Sequence, residues 1–439
     1  MKILPLFISL SCLILISGTS HAEGTCSLFT CHPQLKGLSK LHKPVAEIRC
    51  LDCHKTTGNH PFGGKTTVTL KEKPPGLCFS CHKSFPVRKT VHPPVKQGRC
   101  TACHNPHGAN GRYLIDADNG QTKFCTGCHN AGMFQKKYVH PPVAEGKCTA
   151  CHDPHQSDEK SLLREGVPKL CLGCHPEVMK NLANAPVVHP PVKQGRCTGC
   201  HDPHSSSARY LLKGVPGQFC VTCHVEIGKK VASSKVKHAP LESAASCLSC
   251  HSGHTGAAKS LLPIAGKNFC LKCHTKMAAF LKDKKMLHGP IRDGECTPCH
   301  DPHGSPHMKL LKGAYPEELY VPFDREKNQY GLCLKCHEKK MLMFPDTTIY
   351  TKFRNGKENL HYFHVANKRK SRTCRICHEP HASNSDHLIR NEGIGFGSWK
   401  LPVGFKPTPT GGSCSPGCHG TYTYDRQQFG TGAKTGQDK

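Results

Sequence analysis

Apolar residues are spread very unevenly along this chain. One continuous run extends from Ile3 to Ile16 behind a basic start at Lys2, and a small-residue exit of Ser20, His21 and Ala22 precedes Glu23. That is the pattern of a secretory leader, residues 1–22, cut after Ala22, and it is shorter than the roughly 20 apolar residues that span a bilayer. Cys12 sits inside the run with apolar neighbours on both sides, which argues against a lipid-modified terminus there. No second run of this kind follows. Farther on, apolar residues recur in small groups, among them leucine pairs beginning at Leu162, Leu211, Leu261 and Leu310, which are expected to pack as core. HxP recurs at His42, His92, His140, His189, His238 and His288. Proline restricts the residue before it to extended backbone, so these segments are predicted not to be helical.

The groups recur because the chain repeats. Cys50, Cys100, Cys148, Cys197, Cys247 and Cys296 follow one another at steps of 48 to 50 residues, the signature of a stacked array. The third repeat shows the grammar: VHPPV around His140, GKCTACHDPH from Gly146 to His155, then LLREGVPKLCLGCH from Leu162 to His175. Each motif is predicted to form about one helical turn, closed in several repeats by Pro106, Pro154, Pro203, Pro302 or Pro380. Beyond His303 the spacing loosens, which fits a seventh repeat with longer loops or a separate subdomain. The organisation read from this is a leader at 1–22, a leading segment with a single motif at 23–41, tandem repeats at 42–303 and a C-terminal segment at 304–439.

The chemistry lies in the cysteines. Thirteen CxxCH motifs contain the pairs Cys50 and Cys53, Cys78 and Cys81, Cys100 and Cys103, Cys125 and Cys128, Cys148 and Cys151, Cys171 and Cys174, Cys197 and Cys200, Cys220 and Cys223, Cys247 and Cys250, Cys270 and Cys273, Cys296 and Cys299, Cys333 and Cys336, and Cys374 and Cys377. Two stretched forms contain Cys26 with Cys31 and Cys414 with Cys418. Two thiols one helical turn apart can both bond a porphyrin edge while the next residue gives imidazole to the iron, so the motif is that of covalently attached haem c. Disulfides or zinc would use the cysteines as well. Neither needs a histidine after every second cysteine, and here it follows fifteen times. The predicted iron ligands on this side are His32, His54, His82, His104, His129, His152, His175, His201, His224, His251, His274, His300, His337, His378 and His419.

Fifteen haems leave about 28 residues of mature chain for each, against roughly 100 to 150 in an ordinary domain. Haems must therefore share walls and form much of the core. Hydrophobic residues make up 36% and aromatics 6%, too few to offset the ordering entropy of a haem-free chain. The expected fold is mostly irregular with short α-helices, an elongated array of two-haem repeats with little or no β-sheet. A formal charge of +29 would otherwise suggest nucleic acid, but thirty propionates balance most of it and no run of base-stacking aromatics occurs.

Whether the iron's second axial position is filled separates electron transfer from catalysis. After the fifteen motif histidines and His21, seventeen histidines remain of the 33. One set lies about eight residues before each first motif: His42, His92, His140, His189, His238 and His288, with His361 or His364 serving the seventh and His364 carried in the candidate set. Another follows the motif: His60, His107, His155, His204, His254, His303 and His381. His307, His387 and the remaining one of His361 and His364 are left for the fifteenth iron. A histidine three residues after a motif histidine lies on the same side of the ring and should reach a neighbouring haem. The upstream set spans up to roughly 27 Å of extended chain, so its partners stay open. Methionine, the rival ligand, recurs at no fixed offset.

CTACHDPH at 148–155, CTGCHDPH at 197–204, CTPCHDPH at 296–303 and LCLGCH at 170–175 resemble the paired CxxCH multihaem cytochromes c of metal-reducing bacteria, as does the ending from Gly411 to Arg426. Ser252 and Gly253 depart from the usual acid and proline, and His60 comes late. The resemblance implies respiratory electron transfer in the periplasm or beyond the outer membrane, towards partner cytochromes or metals. No catalytic residue is expected. The alternatives are a reductase of a small oxyanion or nitrogen compound, which would need an open iron, and a polymeric or porin-embedded conduit.

Overall fold

The computed structural model describes residues 32–57, 68–115, 120–369, 371–395 and 400–428. The leader at 1–22, the pair Cys26 and Cys31, and His60 lie outside the described residues. The chain divides into two compact units, one of residues up to 135 with 140–166 and one of residues 136–139 with those from 167 onward.

Each repeat is a string of very short elements. The upstream histidine is extended, as at His92 with φ −59° and ψ 131°, and the prolines after it begin the four-residue helix Pro93–Lys96. Proline suits the first helical position because its missing N–H has no partner there and its φ is already helical. Lys43–Ala46, Pro141–Ala144, Pro190–Lys193 and Gly289–Arg292 repeat the arrangement. The expectation of non-helical HxP segments therefore holds for the histidine and fails one residue later. A left-handed glycine follows several of these helices; at Gly98, φ +67°, a Cβ would also meet the Pro75 ring at 2.5 Å. The first motif then makes a single turn, Cys100–Ala102, closed by the His104 N–H on the Cys100 carbonyl at 3.0 Å. The second motif closes in the same way, with His129 on Cys125 at 3.0 Å.

Successive repeats are clasped by antiparallel strand pairs only two residues long. In the first unit Lys40–Leu41 pairs with Gly108–Ala109 and Thr90–Val91 with Gln156–Ser157. In the second, Tyr138–Val139 pairs with Ser205–Ser206, Val187–Val188 with Thr255–Gly256, and Met286–Leu287 with Ala382–Ser383. The strand before an upstream histidine is thus bound to the strand after a downstream histidine one repeat later. A three-stranded sheet, Lys406–Pro407, Gly411–Cys414 and Tyr422–Asp425, lies near the C-terminus.

The packing is that of a scaffold around something large. Among the described residues, only Ala109 and Ala208 are buried hydrophobics before Ile291. A small protein core forms later, from Phe323, Tyr330, Leu342 and Val365. The second unit holds a continuous cavity of about 2950 Å³, walled by motif thiols, imidazoles and leucines that include Leu261, Leu262, Leu310 and Leu311. Ordinary ligand pockets measure roughly 300–1,000 Å³, so this space suits several large groups. No helix among the described residues is long and apolar enough to cross a membrane.

Candidate haem sites

Imidazoles face one another in pairs, near-parallel except for His201 and His254, which are tilted by 39°. In the first unit His42 faces His82 at 5.8 Å between ring centroids, His54 faces His107 at 6.0 Å, His92 faces His129 at 6.1 Å and His104 faces His155 at 6.0 Å. In the second, His189 faces His224, His238 faces His274 and His288 faces His337 at 6.0–6.1 Å. His201 faces His254 at 5.7 Å, His251 faces His303 at 6.0 Å and His300 faces His381 at 6.3 Å. Two registers emerge. An upstream histidine meets the next second-motif histidine along the chain, and a first-motif histidine meets a downstream histidine that follows a later first motif. The Nε2 atoms of His201 and His254 point at each other across 3.4 Å.

Backbone carbonyls hold the other ring nitrogen. Nδ1 of His104, His152, His201, His251, His300 and His378 bonds the carbonyl nine residues on, that of Tyr113, Ser161, Tyr210, Ser260, Lys309 and His387, at 2.5–2.9 Å. Nδ1 of His42, His92 and His189 bonds the carbonyls of Pro106, Pro154 and Gly253 at 2.9–3.1 Å. Donation from Nδ1 fixes the tautomer and leaves Nε2 free for a metal. The six accepting carbonyls share a backbone feature: each belongs to the first of two successive left-handed residues, from Tyr113 and Leu114 (φ 59° and 57°) to His387 and Leu388 (φ 56° and 57°). Left-handed non-glycine backbone costs about 1–2 kcal/mol per residue. It is offset by turning two carbonyls inward, since Leu211, next to Tyr210, accepts from Asp202 N–H at 2.8 Å. Tyrosine, serine, lysine and histidine all occupy the first position, while leucine occupies the second in all six.

The residue after the motif histidine shapes the downstream turn. Oδ1 of Asn105, Asp153, Asp202 and Asp301 accepts the N–H of His107, His155, His204 and His303 at 2.9–3.1 Å, the side-chain turn that these residues favour. The fifth repeat keeps the turn despite its departure. Ser252 Oγ accepts from His254 N–H at 3.4 Å, and the Gly253 carbonyl takes the place of a proline carbonyl.

The last repeat closes differently. His361 faces His378 at 6.4 Å, and His364 bonds the Leu360 carbonyl at 2.7 Å while lying within electrostatic reach of His419. Both candidates therefore adjoin motif histidines. His387 stands where sister repeats have Tyr113 or Tyr210. His307 N–H bonds Ser305 Oγ as Ala208 N–H bonds Ser206 Oγ. Both belong to the turn scaffold. His140 and His175 precede the helices Pro141–Ala144 and Pro176–Asn184 as their caps, and His32 precedes the turn Pro33–Leu35.

Burial favours neutral imidazole, the form that binds a metal. It pushes His107, His254 and His300 below the usual histidine value, helped by their facing histidines, and His361 down to about 3, with His378 and His364 adding to the effect. Motif thiols also meet in chain order. The free thiols of Cys78 and Cys100, and of Cys125 and Cys148, lie within hydrogen-bonding reach in the first unit, and burial followed by Cys148 pushes Cys125 up to about 11. The free thiols of Cys220 and Cys247, Cys270 and Cys296, and Cys333 and Cys374 do so in the second. A second motif thus abuts the first motif that follows it.

These residues fit haem c. Two metal–nitrogen bonds of about 2 Å with half a ring at each end require a centroid spacing of about 6 Å, which the pairs have. The thiols lie on the walls of the cavity between them. A family model described as the doubled CXXCH motif matches residues 42–86, 92–134, 140–180, 189–229, 238–279 and 288–342, more than half of the chain. No curated protein matches it.

Proposed function

The chain belongs to the doubled CXXCH family of multihaem c-type cytochromes, electron-transfer proteins, and its six matched doublets attach roughly a dozen haem c groups; from that premise we propose a count of about fifteen, each iron held between two histidines. The observation that carries this reading is the set of facing imidazoles about 6 Å apart. The haem would supply one-electron chemistry at its iron. The chain would supply everything else: thioether attachment at the motif cysteines, axial imidazoles with Nδ1 tied to carbonyls, and abutting motifs that bring successive sites together.

The proposed proximal ligands are the fifteen motif histidines. Facing them are His42, His92, His189, His238 and His288, then His107, His155, His254, His303 and His381, then His361 and His364. His140 and His204 belong to the set by their sequence offsets, and the same register gives His60 to His32. His307 and His387 are not ligands. Filled axial positions suit an electron carrier. Other redox proteins or extracellular metal acceptors are the proposed partners. The leader places the chain across the inner membrane, in the periplasm or at the outer surface.

Intact mass with a pyridine haemochrome assay on the secreted protein tests the count, and spectra test the ligation. Fifteen haems per chain, low-spin throughout and inert to carbon monoxide when reduced, are expected. A count of twelve, or carbon monoxide binding at several irons, would overturn the reading.

A further inference from the structure

One first-motif site is built without the features that its sisters share. His54 faces His107 at 6.0 Å with 13° between ring planes, as good a pair as any. Its Nδ1, however, is buried with no hydrogen-bond partner among the described residues. After His54 the backbone enters the strand His54–Thr56, paired with Val68–Leu70, where the other repeats place their left-handed pair and its accepting carbonyl.

The opposite ligand differs as well. The turn that positions His107 carries Asn105, whereas His155, His303 and His381, which face His104, His251 and His300, are followed back to Asp153, Asp301 and Glu379. In two of these the carboxylate comes near the ring: Asp301 Oδ1 is 3.7 Å from His303 Nδ1, and Glu379 Oε1 is 3.3 Å from His381 Nδ1. Lys230 and Arg390 bind the same two carboxylates. The His201–His254 site is intermediate, with the Tyr210 carbonyl on one side and neutral Ser252 on the other.

A hydrogen bond from Nδ1 to a carbonyl, or a carboxylate beside the ring, makes imidazole a stronger donor and favours the oxidised iron. Building on the ligand reading above, we infer that the His54–His107 site holds the haem of highest reduction potential among the first-motif sites and retains electrons most readily. Asn105 is the positioning residue that sets this. It shapes the turn of His107 as aspartate does elsewhere but brings no charge.

The test is a potentiometric titration of the holoprotein, followed by haem absorbance, in three variants. Asn105→Asp should lower the highest-potential component at least tenfold in its reduction equilibrium, about 59 mV for one electron. Asp153→Asn should raise a lower component and leave the top one in place. His107→Ala should turn one haem high-spin and move the top component to higher potential, because losing the donor altogether favours the reduced iron further. If Asn105→Asp leaves the top component unmoved, or if His107→Ala creates one high-spin iron while the top component keeps its potential, this inference fails and the ligand reading stands. If His107→Ala changes no iron's spin, the ligand reading fails with it.

Discussion

His361 faces His378 across 6.4 Å with 18° between ring planes, although both belong to the last repeat. In the other resolved first-motif pairs, His54, His104, His201, His251 and His300 take their partner from a later repeat. An inserted segment supplies the imidazole here, and His361 Nδ1 shares a 2.7 Å hydrogen bond with Thr351 Oγ1, where the upstream histidines His42, His92 and His189 use main-chain carbonyls.

His361→Ala should therefore open one iron and no more. The expected product is a folded protein with one high-spin haem per chain that binds one equivalent of carbon monoxide when reduced. A fully low-spin spectrum in this variant would mean that another side chain serves His378.

The two spare histidines give the opposite expectation. His387 contributes its carbonyl to His378 at 2.9 Å, and His307 its N–H to Ser305. Neither role needs an imidazole, since tyrosine and alanine fill the same places at 210 and 208. His307→Ala and His387→Ala should leave the spin state and carbon monoxide inertness unchanged. A high-spin haem in either would move that residue into the ligand set.

Much of this could be read in the sequence because the chemistry is written in residue types. Cysteine pairs, their trailing histidines and two further histidine sets recur at fixed offsets, and a three-residue offset already required His107 to reach away from the haem of His104. The partner of an upstream histidine could not be read, because eight extended residues reach almost anywhere nearby. It is set by two-residue clasps such as Lys40–Leu41 on Gly108–Ala109, which carry no distinctive composition. The short HPPV helices escape the proline rule because proline restricts the residue before it and favours a helix start at its own position. The first residue of each left-handed pair is unreadable for a plainer reason: its carbonyl does the work, so tyrosine, serine, lysine and histidine all serve, and the leucine that follows in all six reads only as core.

The left-handed pairs make a separate prediction about local stability. Tyr210 has φ 58° and an exposed side chain, so its backbone can be varied without touching the cavity. Glycine accepts that conformation freely and a β-branched residue does not. Tyr210→Ile should weaken the turn, because a β-branched residue tolerates left-handed backbone worse than tyrosine, seen as a severalfold loss of hydrogen-exchange protection at the Asp202 amide, which bonds Leu211. Tyr210→Gly should leave protection equal or higher. Equal exchange in both variants would show that the left-handed backbone is not under strain.

Removal of the cofactor should be more drastic than any substitution. Almost no hydrophobic side chain is buried before Ile291 among the described residues, and the second unit surrounds a space of about 2950 Å³. Left without haem, a space of that size deprives the repeats of the apolar burial that offsets ordering entropy, against a net stability of only about 5–15 kcal/mol for a typical protein. The repeats cannot close the gap by collapsing, because their clasps are two residues long and bury small polar side chains such as Ser157, Ser205 and Ser206. Chain made without haem attachment should therefore show no cooperative denaturant transition and rapid amide exchange throughout the repeats. Whatever protection persists should centre on Phe323, Tyr330, Leu342 and Val365, the hydrophobic cluster built from the protein's own side chains among the described residues. A sigmoidal unfolding curve for the haem-free repeats would show that the polypeptide, and not the porphyrins, supplies their core.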